Sequence, residues 1–245
     1  MENFLLNFWK SFKNSVFHLI YPTFCMHCRL LLDPRPQFLC DPCSQLLEMI
    51  DPETRCPTCF NVLDEFSTKC QECIHYPTPF FRTAAVFDYV GPAATIVKNF
   101  KYSNQPYLAS GMGAFLFTQF DRLNWTIPDA IVPVPISWMK RLERGYNQSE
   151  LLAIELGSYL KRPVFNAIKR RAGDFSQATQ TFEQRKLLQS KNFYFDQSFS
   201  VENKTLLLID DVMTTGSTLK RCGNILIENH SKTVYALSFC RTQVQ

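Results

Sequence analysis

The 245-residue chain has only 8 glycines and no low-complexity tract, which sets it among ordinary globular proteins rather than fibrous or disordered ones. No apolar stretch approaches the roughly 20 residues that a membrane-spanning helix needs. The features of a secretory signal are missing as well: Glu2 comes first, Asn7 and Lys10 interrupt the apolar run, and no small-residue cleavage site follows. Cytoplasmic residence is the resulting expectation. A G-x-x-x-x-G-K-[ST] phosphate loop occurs nowhere, which excludes a Walker-type nucleotide site. Nothing repeats outside the cysteine pairs. Charge of neither sign dominates, and a net +4 permits a polyanionic partner without requiring one.

Cysteine is what the chain does have. Eight of its ten cysteines lie between residues 25 and 73, all in C-x-x-C pairs: Cys25/Cys28, Cys40/Cys43, Cys56/Cys59 and Cys70/Cys73. Paired knuckles at this spacing suit tetrahedral thiolate coordination of Zn²⁺ in a reducing compartment, and eight thiolates make two sites. Sequential pairing, as in a double zinc ribbon, is preferred to a crossed arrangement joining the first pair to the third. Four-thiolate sites are closed, so the metal is expected to be structural. His27 and His75 are then ordinary surface residues, and Cys222 and Cys240 small buried ones.

Three segments are expected. Residues 1–20 carry an amphipathic helix with Phe4, Phe8, Phe12 and Val16 on one stripe, ended by Pro22. It is expected to pack on its own protein, without membrane contact. Residues 21–80 form the cysteine module, too poor in periodic apolar segments to fold without metal, and Tyr76-Pro77-Thr78-Pro79 reads as a linker. Residues 81–245 alternate strands (84–89, 130–135, 192–199, 206–209, 233–239) with helices (93–102, 108–120, 148–160, 218–229). That alternation indicates an α/β fold with an open, mostly parallel sheet.

The run Leu206-Leu207-Leu208-Ile209-Asp210-Asp211-Val212-Met213-Thr214-Thr215-Gly216-Ser217-Thr218 concentrates the chemistry. A buried strand delivers two carboxylates at its C-terminal edge, where ligands bind in open α/β sheets. A turn of hydroxyl residues and one glycine then opens a helix. Amides at that helix start, with the hydroxyls of Thr214, Thr215, Ser217 and Thr218, can cradle a phosphate, and Gly216 lets the backbone approach it closely. Asp210 and Asp211, both expected to face the ligand, can accept hydrogen bonds from ribose hydroxyls directly or around Mg²⁺. The segment resembles, position by position, the phosphoribosyl pyrophosphate (PRPP) signature of type I phosphoribosyltransferases. The resemblance implies that fold for residues 81–245 and a second loop for the diphosphate. Ile131-Val132-Pro133-Val134-Pro135, followed by Lys140, Arg141 and Arg144, is the candidate, with arginine forks and a lysine charge suited to a diphosphate. Taken alone, such a basic loop is more often a solvated surface.

Basic residues outnumber acidic ones between residues 137 and 192, a bias that suits single-stranded nucleic acid, with Tyr146, Phe175 or Phe182 as stacking platforms. A mobile hood over a small phosphorylated ligand would have the same composition. The element Arg144-Gly145-Tyr146-Asn147-Gln148 closely resembles the R-G-[FY]-N-Q segment of the ComF competence proteins. That family joins an N-terminal zinc ribbon to a phosphoribosyltransferase-like domain in the order found here. The segment from Gln177 to Phe193 aligns loosely, with Gln177, Arg185 and Phe193 matching, but Gln180 and Leu188 depart from the pattern.

The resemblance implies a role in natural transformation: handling incoming single-stranded DNA in the cytoplasm, alongside other DNA-uptake or recombination proteins, on a scaffold that keeps a ribose 5-phosphate or PRPP site. The alternative is an active phosphoribosyltransferase using PRPP and Mg²⁺ with an unidentified acceptor, in which Asp210 and Asp211 are catalytic. A glutaminase-coupled enzyme fits less well, since Glu2 offers no N-terminal nucleophile.

Overall fold

The computed structural model describes residues 24–32, 37–63, 67–75, 81–171 and 192–242. The expected helix within residues 1–20, the linker at 76–79, and Phe175, Gln177, Gln180, Phe182, Arg185, Lys186, Leu188 and Lys191 lie outside the described residues.

The described strands are β1 (Phe81–Asp88), β2 (Ala130–Pro133), β3 (Ile168–Arg170), β4 (Phe193–Phe195), β5 (Thr205–Met213) and β6 (Thr233–Arg241). The helices are α1 (Asp41–Gln45), α2 (Gln71–His75), α3 (Gly91–Tyr102), α4 (Leu108–Arg122), α5 (Trp138–Arg144), α6 (Gln148–Leu160) and α7 (Ser217–Glu228). The main sheet has the order β1-β6-β5-β2 with every pairing parallel, and β3 and β4 form a separate antiparallel ribbon. Burial of the central strands on both faces explains their unbroken apolar runs. Leu207 and Ile209 of β5 join Phe100, Leu116, Leu152 and Leu156 of α3, α4 and α6. Leu206 and Leu208 face the other way, onto Leu219, Cys222 and Leu226 of α7. The result is three layers, helices over both faces of a parallel sheet.

Four differences from the sequence-based expectations bear on the site. β5 continues four residues past Ile209, because Asp210, Val212 and Met213 still pair with Ser238, Cys240 and Arg241 of β6. The basic stretch after β2, expected as a loop, is helix α5, capped by the Ser137 hydroxyl accepting from the Lys140 N–H and ended by Gly145 at φ 78°. β3 carried too short a pattern to be expected. β4 is three residues rather than the eight spanned by 192–199.

The cysteine-bearing segment covers the outer edge of the sheet. The Ile50 N–H donates to Val86 O at 2.8 Å and the Thr83 N–H to Thr58 O at 2.8 Å, so β1 does not present a bare edge there. Cys25, Cys40, Ile50 and Phe60 belong to the same buried cluster as Val86, Phe100 and Leu108.

Candidate functional site

The eight paired cysteines gather into two groups, Cys25/Cys28/Cys40/Cys43 and Cys56/Cys59/Cys70/Cys73, and within each group the sulfur atoms lie within 4.8 Å of one another. Pairing is therefore sequential. The Cys28–Cys40 and Cys59–Cys70 sulfur separations of 3.6 and 3.4 Å approach the ~3.8 Å edge of a tetrahedron with Zn–S near 2.3 Å, so the donor sets fit Zn²⁺. The same ribbon is built twice. Cys25 and Cys56 each donate their N–H to the carbonyl five residues on, Leu30 and Asn61, at 2.8 Å. Arg29 and Phe60 close the two knuckles with φ of 65° and 62°, and α1 and α2 follow Cys40 and Cys70. Burial opposes ionisation of Cys25, but N–H groups of Cys28, Cys40 and His27 outweigh it and hold the thiol down to about 6. Cys56 is held down to about 7 against its burial by N–H groups of Cys59, Cys70 and Thr58. Neither histidine joins a cluster: His27 pairs with Thr95 at 2.8 Å, and His75 with Gln71 O.

The second candidate site lies at the C-terminal ends of β5 and β2. β5 carries Asp210 and Asp211 out of the core, and the turn Thr214-Thr215-Gly216 leads into α7. Gly216 caps that helix at φ 69°, a left-handed conformation that a side chain would strain. The Ser217 N–H reaches Thr215 Oγ1 at 3.4 Å, and the two hydroxyls meet at 3.0 Å. Thr214, Thr215 and Ser217 are exposed, so their hydroxyls stand open at the start of a 12-residue helix.

The carboxylates are already engaged, each from a different helix. Asp210 Oδ1 accepts from Ser149 Oγ of α6 at 3.0 Å. Asp211 is 6% exposed and forms an ion pair with Lys101 Nζ of α3 at 2.9 Å. Burial, then the adjacent charge of Asp211, pushes the Asp210 carboxyl up to about 7, with the Ser149 hydroxyl and Lys101 opposing. Two carboxylates at one strand end, that of Asp211 paired with Lys101, are oxygen donors of the kind a divalent cation takes.

Of the three basic residues expected here, two are brought to the site. Burial and the nearby charges of Arg144, Arg170 and Lys101 push the Lys140 ammonium below its usual range, with Asp211 opposing, which puts Lys140 in this field. Arg144 lies over the Tyr102 ring at 5.1 Å and donates to Gln148 Oε1 at 3.1 Å. A cavity of about 330 Å³ opens between Lys101, Tyr102 and Asn104 on one side and Glu143, Arg144 and Gly145 on the other. Arg141 instead turns toward Glu150 at 3.5 Å, with 62% of its side chain exposed. Lys101 and Ser149 were missed by sequence reasoning. Lys101 looked like any polar residue ending a helix, and only the fold brings it to Asp211.

The Arg144-Gly145-Tyr146-Asn147-Gln148-Ser149 segment proves to be a brace. Tyr146, expected as a platform for bases, has its ring packed on Phe100 at 5.7 Å and donates its hydroxyl to Phe100 O at 2.6 Å. That contact commits one face of the ring and the hydroxyl to the core. Asn147 Nδ2 donates to Val134 O at 3.1 Å, while its Oδ1 accepts from the Ser149 N–H and caps α6.

Residues 124–242 match the phosphoribosyl transferase domain family. DNA utilization protein YhgH of Escherichia coli O6:H1 is 30% identical over 231 residues, covering 91% of this chain and 99% of that one. Competence protein F of Haemophilus influenzae is 27% identical over 214 residues, covering 82% of this chain and 90% of that one. A solved Bacillus subtilis glutamine PRPP amidotransferase, complexed with ADP and GMP, superposes at TM-score 0.41 and 16% identity, over 58% of this chain and 30% of that one. With two four-cysteine clusters preceding a parallel α/β domain of phosphoribosyltransferase type, and with relatives spanning nearly its whole length, the chain belongs to the ComF family of competence and DNA-utilization proteins.

Proposed function

We propose that the protein handles incoming single-stranded DNA in the cytoplasm during natural transformation, on a scaffold that retains a working ribose 5-phosphate or PRPP site. The observation that carries the reading is the junction of β5 and α7: a carboxylate pair, open hydroxyls, and a field of Lys101, Lys140 and Arg144 at one end of the sheet. The names of the relatives, DNA utilization and competence, support the DNA half of the reading. Thr214, Thr215, Gly216, Ser217 and Thr218 hold the 5-phosphate, and Asp210 and Asp211 hold the ribose hydroxyls and any Mg²⁺ that accompanies them. Mg²⁺, when bound, neutralises diphosphate charge. Lys140 and Arg144 attract the diphosphate or a DNA backbone, and the two zinc clusters are structural. Other DNA-uptake or recombination proteins are the expected protein partners. Among the described residues no helix is long and apolar enough to cross a membrane.

A second reading, an active phosphoribosyltransferase with an unidentified acceptor, is favoured by the presence of both carboxylates at the strand end. One assay separates the two. PRPP with Mg²⁺ is incubated with the protein, with and without single-stranded DNA, and both binding and pyrophosphate release are followed. Binding that Asp210→Ala with Asp211→Ala abolishes is expected; unchanged affinity in that variant would remove the carboxylates from the site. Pyrophosphate release dependent on the pair selects the transferase. For the DNA half, Lys140→Ala with Arg144→Ala should weaken single-strand binding and reduce the salt slope by about 0.7 for each phosphate no longer neutralised. An unaltered slope takes those residues off the DNA surface.

A further inference from the structure

Lys101 holds two positions at once. It closes the last turn of α3, where a cation is favoured by the helix dipole. Its ammonium sits 2.9 Å from Asp211 Oδ1, yet the same side chain lines the 330 Å³ cavity that Arg144 borders from the opposite wall. That ion pair is largely withdrawn from water, with the Lys101 side chain 17% exposed and that of Asp211 9%. An ammonium and a divalent cation on the same carboxylate repel each other, and the repulsion is strong where solvent is scarce. A cation that arrives at Asp211 therefore competes with Lys101. The cavity that Lys101 lines gives its side chain a place to go.

Arg144 is fixed there already. Its guanidinium lies over Tyr102 and donates to Gln148, which leaves a rigid fork with one side toward the cavity. A diphosphate carries more charge than one guanidinium balances. A second cation released into the cavity at the moment the ligand arrives would complete the balance.

We propose that Lys101 is an exchanging positioning residue: it neutralises Asp211 in the free protein and passes to the diphosphate of the sugar phosphate when a divalent cation takes its place. The exchange rests on the sugar-phosphate reading of this site and adds to it a residue and an order of events. Cation and diphosphate bind cooperatively, because each removes an obstacle to the other. The divalent cation alone has to compete with Lys101, and the diphosphate alone finds Lys101 held by Asp211.

The test compares wild type with Lys101→Met and Lys101→Arg, using Mn²⁺ alone, read by electron paramagnetic resonance, and PRPP with Mg²⁺, read by calorimetry. Lys101→Met should bind Mn²⁺ at least about threefold more tightly than wild type, through removal of the competing charge. It should bind PRPP with Mg²⁺ about 10- to 100-fold more weakly, through loss of one charge-assisted hydrogen bond. Lys101→Arg should recover most of the PRPP affinity. A merely structural lysine would weaken both ligands together or neither. Unchanged or weaker Mn²⁺ binding in Lys101→Met, no detectable Mn²⁺ binding by that variant, or unchanged PRPP affinity overturns the exchange. Failure of wild type to bind PRPP with Mg²⁺ is a different result, since it overturns the sugar-phosphate reading beneath it.

Discussion

Asn147→Ala removes one side chain that does two jobs. The amide nitrogen satisfies the buried carbonyl of Val134 at 3.1 Å, and the amide oxygen caps α6 through the Ser149 N–H at 3.2 Å. Loss of an N-cap costs about 1 kcal/mol. A buried carbonyl left without a donor costs about 1–3 kcal/mol more, and Asn147, only 6% exposed, leaves no ready path for water to replace it. The sum is about 2–4 kcal/mol. At about 2–4 °C per kcal/mol for a chain of this size, the melting temperature should fall by roughly 4–16 °C. Thermal denaturation followed by circular dichroism measures that fall, and urea denaturation the free energy. Asn147→Ser supplies the control: its hydroxyl keeps a capping oxygen but is too short to reach Val134, so it should fall between wild type and Asn147→Ala. A loss under about 1 kcal/mol for Asn147→Ala would refute the view that this segment is a brace rather than a ligand-contacting loop.

Two further outcomes follow from the same geometry. The Asp210 carboxyl titrates near 7 in the folded chain, above the ordinary 3.8, so between about pH 4 and 7 the folded state retains a proton that the unfolded chain has released. Its contribution therefore turns against folding as pH rises through that window, and Asp210→Asn should be the more stable protein at pH 8, by about 2 kcal/mol after allowance for solvent screening. The two should converge at pH 4 in thermal melts; an equal gap at both pH values would refute the cause. For the metal, elemental analysis should find two Zn²⁺ per chain, and chelation should lower the melting transition of the whole protein, because the ribbons share a core with the sheet. A phosphoribosyltransferase-type domain that melts unchanged after complete zinc removal would contradict that coupling.

Much of this architecture was legible in the residues. The sequential cysteine groups, the parallel sheet and the β5–α7 junction each rest on a local signal: ligand spacing, an unbroken apolar run, and small hydroxyl residues around one glycine. The helix expected at 148–160 appears with those bounds, since Leu152 and Leu156 lie on its buried face. The misses have a common physical origin. Asp210 and Asp211 looked like the end of a strand, but backbone pairing with β6 is indifferent to side-chain charge, and the ladder runs on to Met213. Tyr146 looked like a platform for bases, because an aromatic group beside a basic run carries that signature whether or not its ring also packs on the core. Lys101 belongs to a helix 110 residues before Asp211. No periodicity in one segment can report a contact that two segments make only after folding.

The link between the zinc ribbons and the β5–α7 turn is of that same long-range kind. Arg241, the last residue of β6, is 4% exposed and donates through Nη1 to the carbonyls of Cys59 and Phe60, and through Nη2 to Asn61 Oδ1 at 2.6 Å. Its backbone is the register partner of Met213, and the Thr242 N–H donates to Met213 O at 3.0 Å. Met213 is the residue immediately before Thr214, where the turn into α7 begins. On the other side of β6, Asp88 of β1 is the register partner of Arg241 and forms an ion pair with Arg55 at 2.9 Å, next to Cys56. The second ribbon thus grips the C-terminal end of the sheet from two adjacent strands. A knuckle whose four sulfurs gather in one cluster gives Arg241 a fixed set of acceptors, and a fixed Arg241 fixes the end of β5 through β6. The ribbon needs no catalytic role to matter for the site. Through β6 it steadies the strand end from which Asp210, Asp211 and the loop of Thr214 and Thr215 project.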